Sequence, residues 1–161
     1  MQKLLSIILT ITCFCQLIAS AQSPKLMKDR NSTIEEARYL KSIYKTEDAI
    51  ELLSGLISPG QIDEEVQNEL ADCYIQAGDL DAAASTYSTL LMMKPESILY
   101  RIKLMLTTYR SKDYKSSSEL GLSIIKRDTI PAIVSLTADS FNMMAMPDSA
   151  LIYYNMYIGM N

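Results

Sequence analysis

Few residues in this 161-residue chain could make or break a covalent bond. Histidine is absent, which removes any Ser-His-Asp or Cys-His pair and any imidazole metal site. The cysteines are Cys13, Cys15 and Cys73, and the first two fall in an apolar leader, so Cys73 is the sole candidate nucleophile. A thiol with no base to activate it, beside Tyr74 in a helical pattern, reads as an inert, half-buried side chain. Carboxylates cluster as Glu35-Glu36, Asp63-Glu64-Glu65 and Asp79-Asp81, sets that could form acid–base pairs or an oxygen-ligand metal site. They stand at or near expected helix starts, where the helix dipole favours negative charge, and that is sufficient to account for them. The glycines at 55, 60, 78, 121 and 159 are too dispersed for a phosphate-binding loop. No catalytic residue, metal site or cofactor is expected.

The first 21 residues read as a cleavable secretion signal. Lys3 is followed by an apolar run from Leu4 to Ile18 and then by Ala19-Ser20-Ala21, the charged, apolar and small-residue order of a signal peptide. The run is shorter than the roughly 20 apolar residues a spanning helix needs, so no membrane span is expected in the mature chain. Neither Cys13 nor Cys15 follows the small residue that lipoprotein processing resembles requiring. Cleavage after Ala21 leaves a short linker, 22–29, and a single domain, 30–161, with Cys73 as its one thiol and hence no intramolecular disulfide. The formal net charge of −4 becomes one unit more negative without Lys3, and such a mildly acidic surface argues against nucleic acid.

Within that domain one spacing recurs. Ala37, Ala71, Met105 and Ala138 are separated by 34, 34 and 33 residues, and Ala49, Ala83, Ser117 and Ala150 repeat the same steps. Partners follow each series: Leu40, Tyr74, Thr108 and Phe141 three residues after the first, Leu53, Tyr87, Gly121 and Tyr154 four residues after the second. Apolar residues recur at three and four within each copy, which is helical spacing, and the third copy is the weakest. Turns at Tyr44-Lys45-Thr46-Glu47, Gly78-Asp79, Ser111-Lys112-Asp113 and Met146-Pro147-Asp148 divide each copy into two helices, A and B. Asp or Thr there can accept from the free N–H groups of helix B, and Pro147 suits a first turn. Ser58-Pro59-Gly60, Lys94-Pro95-Glu96 and Thr129-Ile130-Pro131 separate the copies. The segment YYNMYI has strand propensity, yet Ala150, Tyr153, Tyr154 and Tyr157 fit one helix face. The alanines then mark where paired helices cross closely, and the larger residues fill the space beside each crossing.

This pattern resembles the tetratricopeptide repeat, best at 64–97. There Leu70, Ala71, Tyr74, Gly78, Ala83, Tyr87 and Pro95 stand where the family places its leucine, small residue, tyrosine, turn glycine, alanine, aromatic and terminal proline. Gln67 occupies a common tryptophan position and Leu90 replaces a usual alanine. The resemblance implies an all-α solenoid of antiparallel helix pairs, at about 30–63, 64–97, 98–130 and 131–161, wound into a right-handed superhelix whose concave face is lined mainly by each helix A. On that face it places Arg38, Lys41, Asn68, Asp72, Gln76, Lys103, Leu106, Tyr109, Arg110 and Asn142, together with Ile75, Ile102, Ser135, Asp139 and Met143. Such a mixed surface suits a protein or peptide partner. Some family members clamp a chaperone's C-terminal carboxylate, but Ile34, Glu69 and Leu99 stand at clamp positions here and only Lys103 agrees, so that ligand is not expected.

The end of the fourth copy carries Ile152, Tyr153, Met156, Ile158 and Met160, which cannot all be buried against one neighbour. Such a patch implies a longer array, self-association or a partner. The reading is a non-catalytic binding scaffold of a bacterial envelope, periplasmic or on the periplasmic side of the outer membrane. The alternatives are a structural subunit of an envelope assembly, docking through its C-terminal helix, and an unusual enzyme using carboxylates.

Overall fold

The computed structural model describes residues 24–160, with side chains from Asp29 onward. The expected signal at 1–21, with Cys13 and Cys15, lies outside the described residues. Eight helices and no strand occur among the described residues: α1 (Pro24–Ser42), α2 (Thr46–Gly55), α3 (Glu64–Ala77), α4 (Leu80–Met93), α5 (Ile98–Arg110), α6 (Tyr114–Ile125), α7 (Pro131–Met143) and α8 (Pro147–Ile158). They form four pairs; Ser58-Pro59-Gly60 and Lys94-Pro95-Glu96 fall between helices, while of Thr129-Ile130-Pro131 the proline is already the first residue of α7. Each helix packs chiefly on its neighbours in the chain, which is the near one-dimensional contact pattern of a solenoid. YYNMYI is helical, in α8.

One boundary differs. Residues 24–29, expected as linker, are the first turns of α1, because Pro24 stands at a helix start, where its missing N–H costs nothing, and the residues after it continue the helix. Glu35 and Glu36 consequently lie inside a helix and not near its start, and Glu35 is held by Arg38 at 2.6 Å.

Both repeated series are buried in every copy. Ala37, Ala71, Met105 and Ala138 are inaccessible to solvent, as are Ala49, Ala83 and Ser117, while Ala150 is almost so. Helix starts follow from side-chain caps: Asp63, Asp79, Ser97 and Asp113 accept from the backbone N–H of Val66, Ala82, Tyr100 and Ser116. Thr46 and Asp148, expected to cap in the same way, do not, since Lys45 and Met146 hold the cap positions and neither caps through its side chain.

The A-to-B turn is the same in all four copies. Tyr44, Gly78, Lys112 and Ala145 have φ of 60°, 84°, 67° and 56°. The following residues, Lys45, Asp79, Asp113 and Met146, donate their backbone N–H to Leu40, Tyr74, Thr108 and Phe141, five residues back, at 2.9–3.0 Å. This is the Schellman closure of a helix C-terminus, which satisfies carbonyls the helix leaves free. Three of the four positions hold a side chain in the left-handed region, a strained conformation that the surrounding turn imposes.

The third copy is weak in sequence because large and small have traded places. Where the second copy pairs Ala71 with Tyr87, the third pairs Met105 with Gly121. A Cβ at Gly121 would stand 2.1 Å from Thr137 Oγ1 and 2.7 Å from Met105 Cε, so the methionine occupies the room that the glycine leaves. Ser140 Oγ donates to Ser117 Oγ at 3.1 Å across the same contact between α6 and α7. Gly121→Ala should therefore destabilise the chain. Overpacking costs about 1–3 kcal/mol, and the roughly 1 kcal/mol gained in helix propensity offsets only part of it. Urea unfolding should show a midpoint below that of the native chain, whereas an equal or higher midpoint would mean that this helix contact is not tight.

Candidate functional site

The ten residues expected to face a partner divide into two groups. Arg38, Lys41, Asn68, Asp72, Gln76 and Lys103 are engaged with one another or with neighbouring helices. Leu106, Tyr109, Arg110 and Asn142 are not braced in this way.

The first group belongs to a ladder of charges that runs from α1 across α3 to α5. Arg30 reaches Asp63 at 2.6 and 2.7 Å and Glu65 at 3.0 Å. Arg38 donates to Glu69 at 2.8 Å and to Glu65 at 3.1 Å, and Lys41 donates to Glu69 at 2.7 Å. Gln76 Nε2 donates to the Lys41 carbonyl at 3.1 Å, tying the end of α3 to that of α1. Between α3 and α5, Lys103 Nζ donates to Asn68 at 2.8 Å and to Asp72 at 3.0 and 3.1 Å, and lies 5.3 Å from the centroid of the Tyr87 ring. The Tyr87 hydroxyl donates to Asp72 in turn. Burial, together with the Asp72 carboxylate, pushes this hydroxyl far above its ordinary pKa. Tyr100 donates to Glu64 at 2.6 Å, and its hydroxyl is pushed up to about 12 by burial and by that carboxylate.

An open cleft of about 470 Å³ lies at this ladder, lined by Asp63, Glu64, Glu65, Asn68, Leu99, Tyr100 and Lys103. Its acids are already matched, Asp63 and Glu65 by Arg30 and Glu64 by Lys94 and Tyr100. The ladder's role is to hold successive A helices in register.

Glu69 is the centre of the α1–α3 half. Nothing in the sequence marked it except a clamp position it fails to match, yet it is buried and takes hydrogen bonds from two cations. Burial acts to raise its pKa, but the bonds from Lys41 and Arg38 outweigh that and hold the carboxyl below its usual value near 4.5. Its contribution to stability is thus complete above that value and is lost as pH falls through the lower, folded-state value. Glu69→Gln should flatten the acid limb of stability against pH below about 4.5. It should also lower stability at neutral pH by roughly 1–3 kcal/mol, because charge-assisted bonds are lost. Urea titrations from pH 3 to 7 check this, and parallel curves for the two proteins would remove Glu69 as the acid-sensitive group.

Past Lys103 the ladder stops. On α5, Leu106 is exposed at 45%, and Arg110 is exposed and makes no ion pair among the described residues. Tyr109 is half-buried and meets Tyr114 edge to face, ring centroids 5.4 Å apart. Its hydroxyl is raised in pKa by burial and by Asp139 of α7. On α7, Asn142 and Met143 are exposed. Leu106, Tyr109 and Arg110 share one face of α5 by their three- and four-residue spacing, and Asn142 holds the Tyr109 position of the next copy.

Cys73 is fully buried, deeper than its neighbour Tyr74 implied, and burial raises its pKa, as for a packing thiol. No group of three potential metal-binding side chains occurs among the described residues, and no described helix is long and apolar enough to cross a membrane.

Comparisons with known proteins match this architecture. A family model described as tetratricopeptide repeat matches residues 44–105. The crystal structure of MamA protein superposes with a TM-score of 0.70 at 15% identity, covering 83% of this chain and 75% of that one. MamA AMB-1 gives 0.69 at 14% identity, with 81% and 72% covered, and MamA MSR-1 gives 0.65 at 17% identity, with 81% and 73% covered. Identities this low carry the fold alone. No curated protein matches the sequence.

Proposed function

We propose that this chain, a tetratricopeptide-repeat protein, is a non-catalytic scaffold that holds a peptide or extended segment of another protein against the A-helix face of its third and fourth copies. The observation that carries this reading is the division of that face. From α1 to Lys103 the polar side chains are spent on one another, whereas Leu106, Tyr109, Arg110, Asn142 and Met143 offer apolar contact, a cation and an amide. Leu106, Tyr109 and Met143 would bury apolar side chains of the segment. Arg110 and Asn142 would meet its carboxylates or backbone. The setting we propose is the periplasm or the periplasmic side of a bacterial outer membrane, on the strength of Lys3, the apolar run and Ala19-Ser20-Ala21.

The braced and open groups call for different variants. Charge reversal at Lys103 would break the ladder as well as any contact, and Tyr109 packs on Tyr114, so Arg110→Glu and Leu106→Ser, at exposed positions, are the clean tests. Each should cut capture of envelope proteins by the immobilised chain about ten-fold, roughly 1.4 kcal/mol, without moving the melting temperature. Arg38→Ala should lower the melting temperature and leave capture intact. Loss of capture in Arg38→Ala alone would place recognition on α1 and α3 and overturn the reading.

A further inference from the structure

We infer that a groove between α4 and α6, floored by α5, holds an extended segment of a partner protein, with an acidic residue on Arg101, an apolar residue on Leu104 and a basic residue on Glu119. Arg101, Leu104 and Thr108 share one face of α5 by their spacing, and Lys103, Leu106 and Arg110 share the opposite one. The groove is thus separate from the peptide face proposed above and does not depend on it.

A cation without a counter-ion marks the place. Five cations are half-buried among the residues whose side chains are described. Arg30, Arg38, Lys41 and Lys103 each pair with carboxylates. Arg101, the fifth, has only the backbone carbonyl of Pro95. A guanidinium presents a planar fork of donors matched to a carboxylate, and partial burial strengthens that attraction.

Arg101 stands in an open cleft of about 540 Å³ whose other walls are Ser88, Leu91, Met92, Pro95 and Leu104. Ser88 and Leu104 also line an adjoining cleft of about 470 Å³ between α4 and α6, so the two form one groove. It opens because α4 is slender here: where α2 has Ile50 and Glu51, and α8 has Leu151 and Ile152, α4 has Ala84 and Ser85. Asp113 and Glu119 stand at the far end. Asp113 is spent capping α6, while Glu119 is exposed and has no ion pair among the described residues. One end of the groove therefore calls for an anion, the middle for apolar contact and the other end for a cation.

The hydroxyls decide what kind of chain fits. Ser88, Thr108 and Ser123 line the groove and donate to carbonyls of their own helices, which leaves their oxygens as acceptors. An extended segment has backbone N–H groups to offer them, whereas a helix has bonded its own internally. From Arg101 to Thr108 the floor rises roughly 10 Å. Residues i, i+2 and i+4 of an extended segment face one way across about 13 Å. The matching sequence is acidic-x-apolar-x-basic.

The probe is a fluorescein-labelled peptide, Gly-Thr-Glu-Thr-Leu-Thr-Lys-Thr-Gly, added to the intact chain. Anisotropy should show saturable binding that Arg101→Gln weakens about ten-fold, since glutamine keeps a donor for Pro95 and loses the charge. Glu119→Gln, at an exposed position, should weaken it about three-fold. Ser85→Leu, also exposed, should close the groove and abolish binding without moving the melting temperature. A peptide with lysine in place of its glutamate should bind poorly to the native chain and recover on Arg101→Glu. Arg110→Glu should bind the probe as the native chain does. Circular dichroism melts establish that each variant is folded. Absence of saturable binding to the native chain, or binding that either Arg101→Gln or Ser85→Leu leaves unchanged, would overturn the inference. Loss of binding in Arg110→Glu would overturn it by moving the segment to the opposite face of α5. Self-association of the chain alone that Ser85→Leu abolishes would overturn it in favour of a second copy.

Discussion

How closely helix A can approach helix B in each copy is the constraint on which the whole fold depends. Ala71 and Ala83 in the second copy, and the alanines of the first and fourth copies at the same positions, are buried where the two helices cross closely. Once that distance is set, the shell around each crossing must be filled to interior density. Tyr87 does so in one copy, and Met105 beside Gly121 does so in another. The Schellman turn that ends each helix A serves the same end, reversing the chain in two or three residues so that the partner helix can return at close range. Its left-handed conformation is maintained even where Tyr44, Lys112 and Ala145 bear side chains.

Close pairs do not by themselves fix how one pair sits on the next. That task falls to apolar contacts between B and the following A helix, and on the A side to the ladder from Arg30 to Lys103. Most of its members are partly exposed, so each exposed pair adds little, and Glu69, the most enclosed, matters most. The functional consequence lies in where the ladder stops. A surface whose charges are already matched has little to gain from a partner, while one with Leu106 and Arg110 open to solvent beside a half-buried Tyr109 has contacts still to make.

Much of the fold was legible in the sequence because residue size and period report it directly: two series spaced by 34, 34 and 33 residues, each alanine in three of its four members, have few explanations besides close helix crossings. The third copy was legible only as a weak one, since Met105 with Gly121 satisfies the same volume rule by opposite choices and a pattern of residue types does not register volume. The left-handed turns at Tyr44, Lys112 and Ala145 were hidden because only Gly78 advertises that conformation. The candidate site was half legible. The A-helix residues were found by position, but whether Arg38, Lys41 and Lys103 were open or engaged depended on acids about thirty residues away on the adjacent A helix. The recurrence of an aspartate and a tyrosine 15 residues apart, at Asp72 and Tyr87 and again at Asp139 and Tyr154, was a signal in plain view whose meaning needed the hydrogen bonds.

The division of the A-helix face into a self-satisfied part and an open part is the central claim, and amide hydrogen exchange of the chain with and without its captured partner tests it most directly. The account predicts added protection in 98–110 and 131–143, with exchange in 24–42 unchanged. Protection confined to 24–42 and 64–77, where the ladder lies, would contradict it.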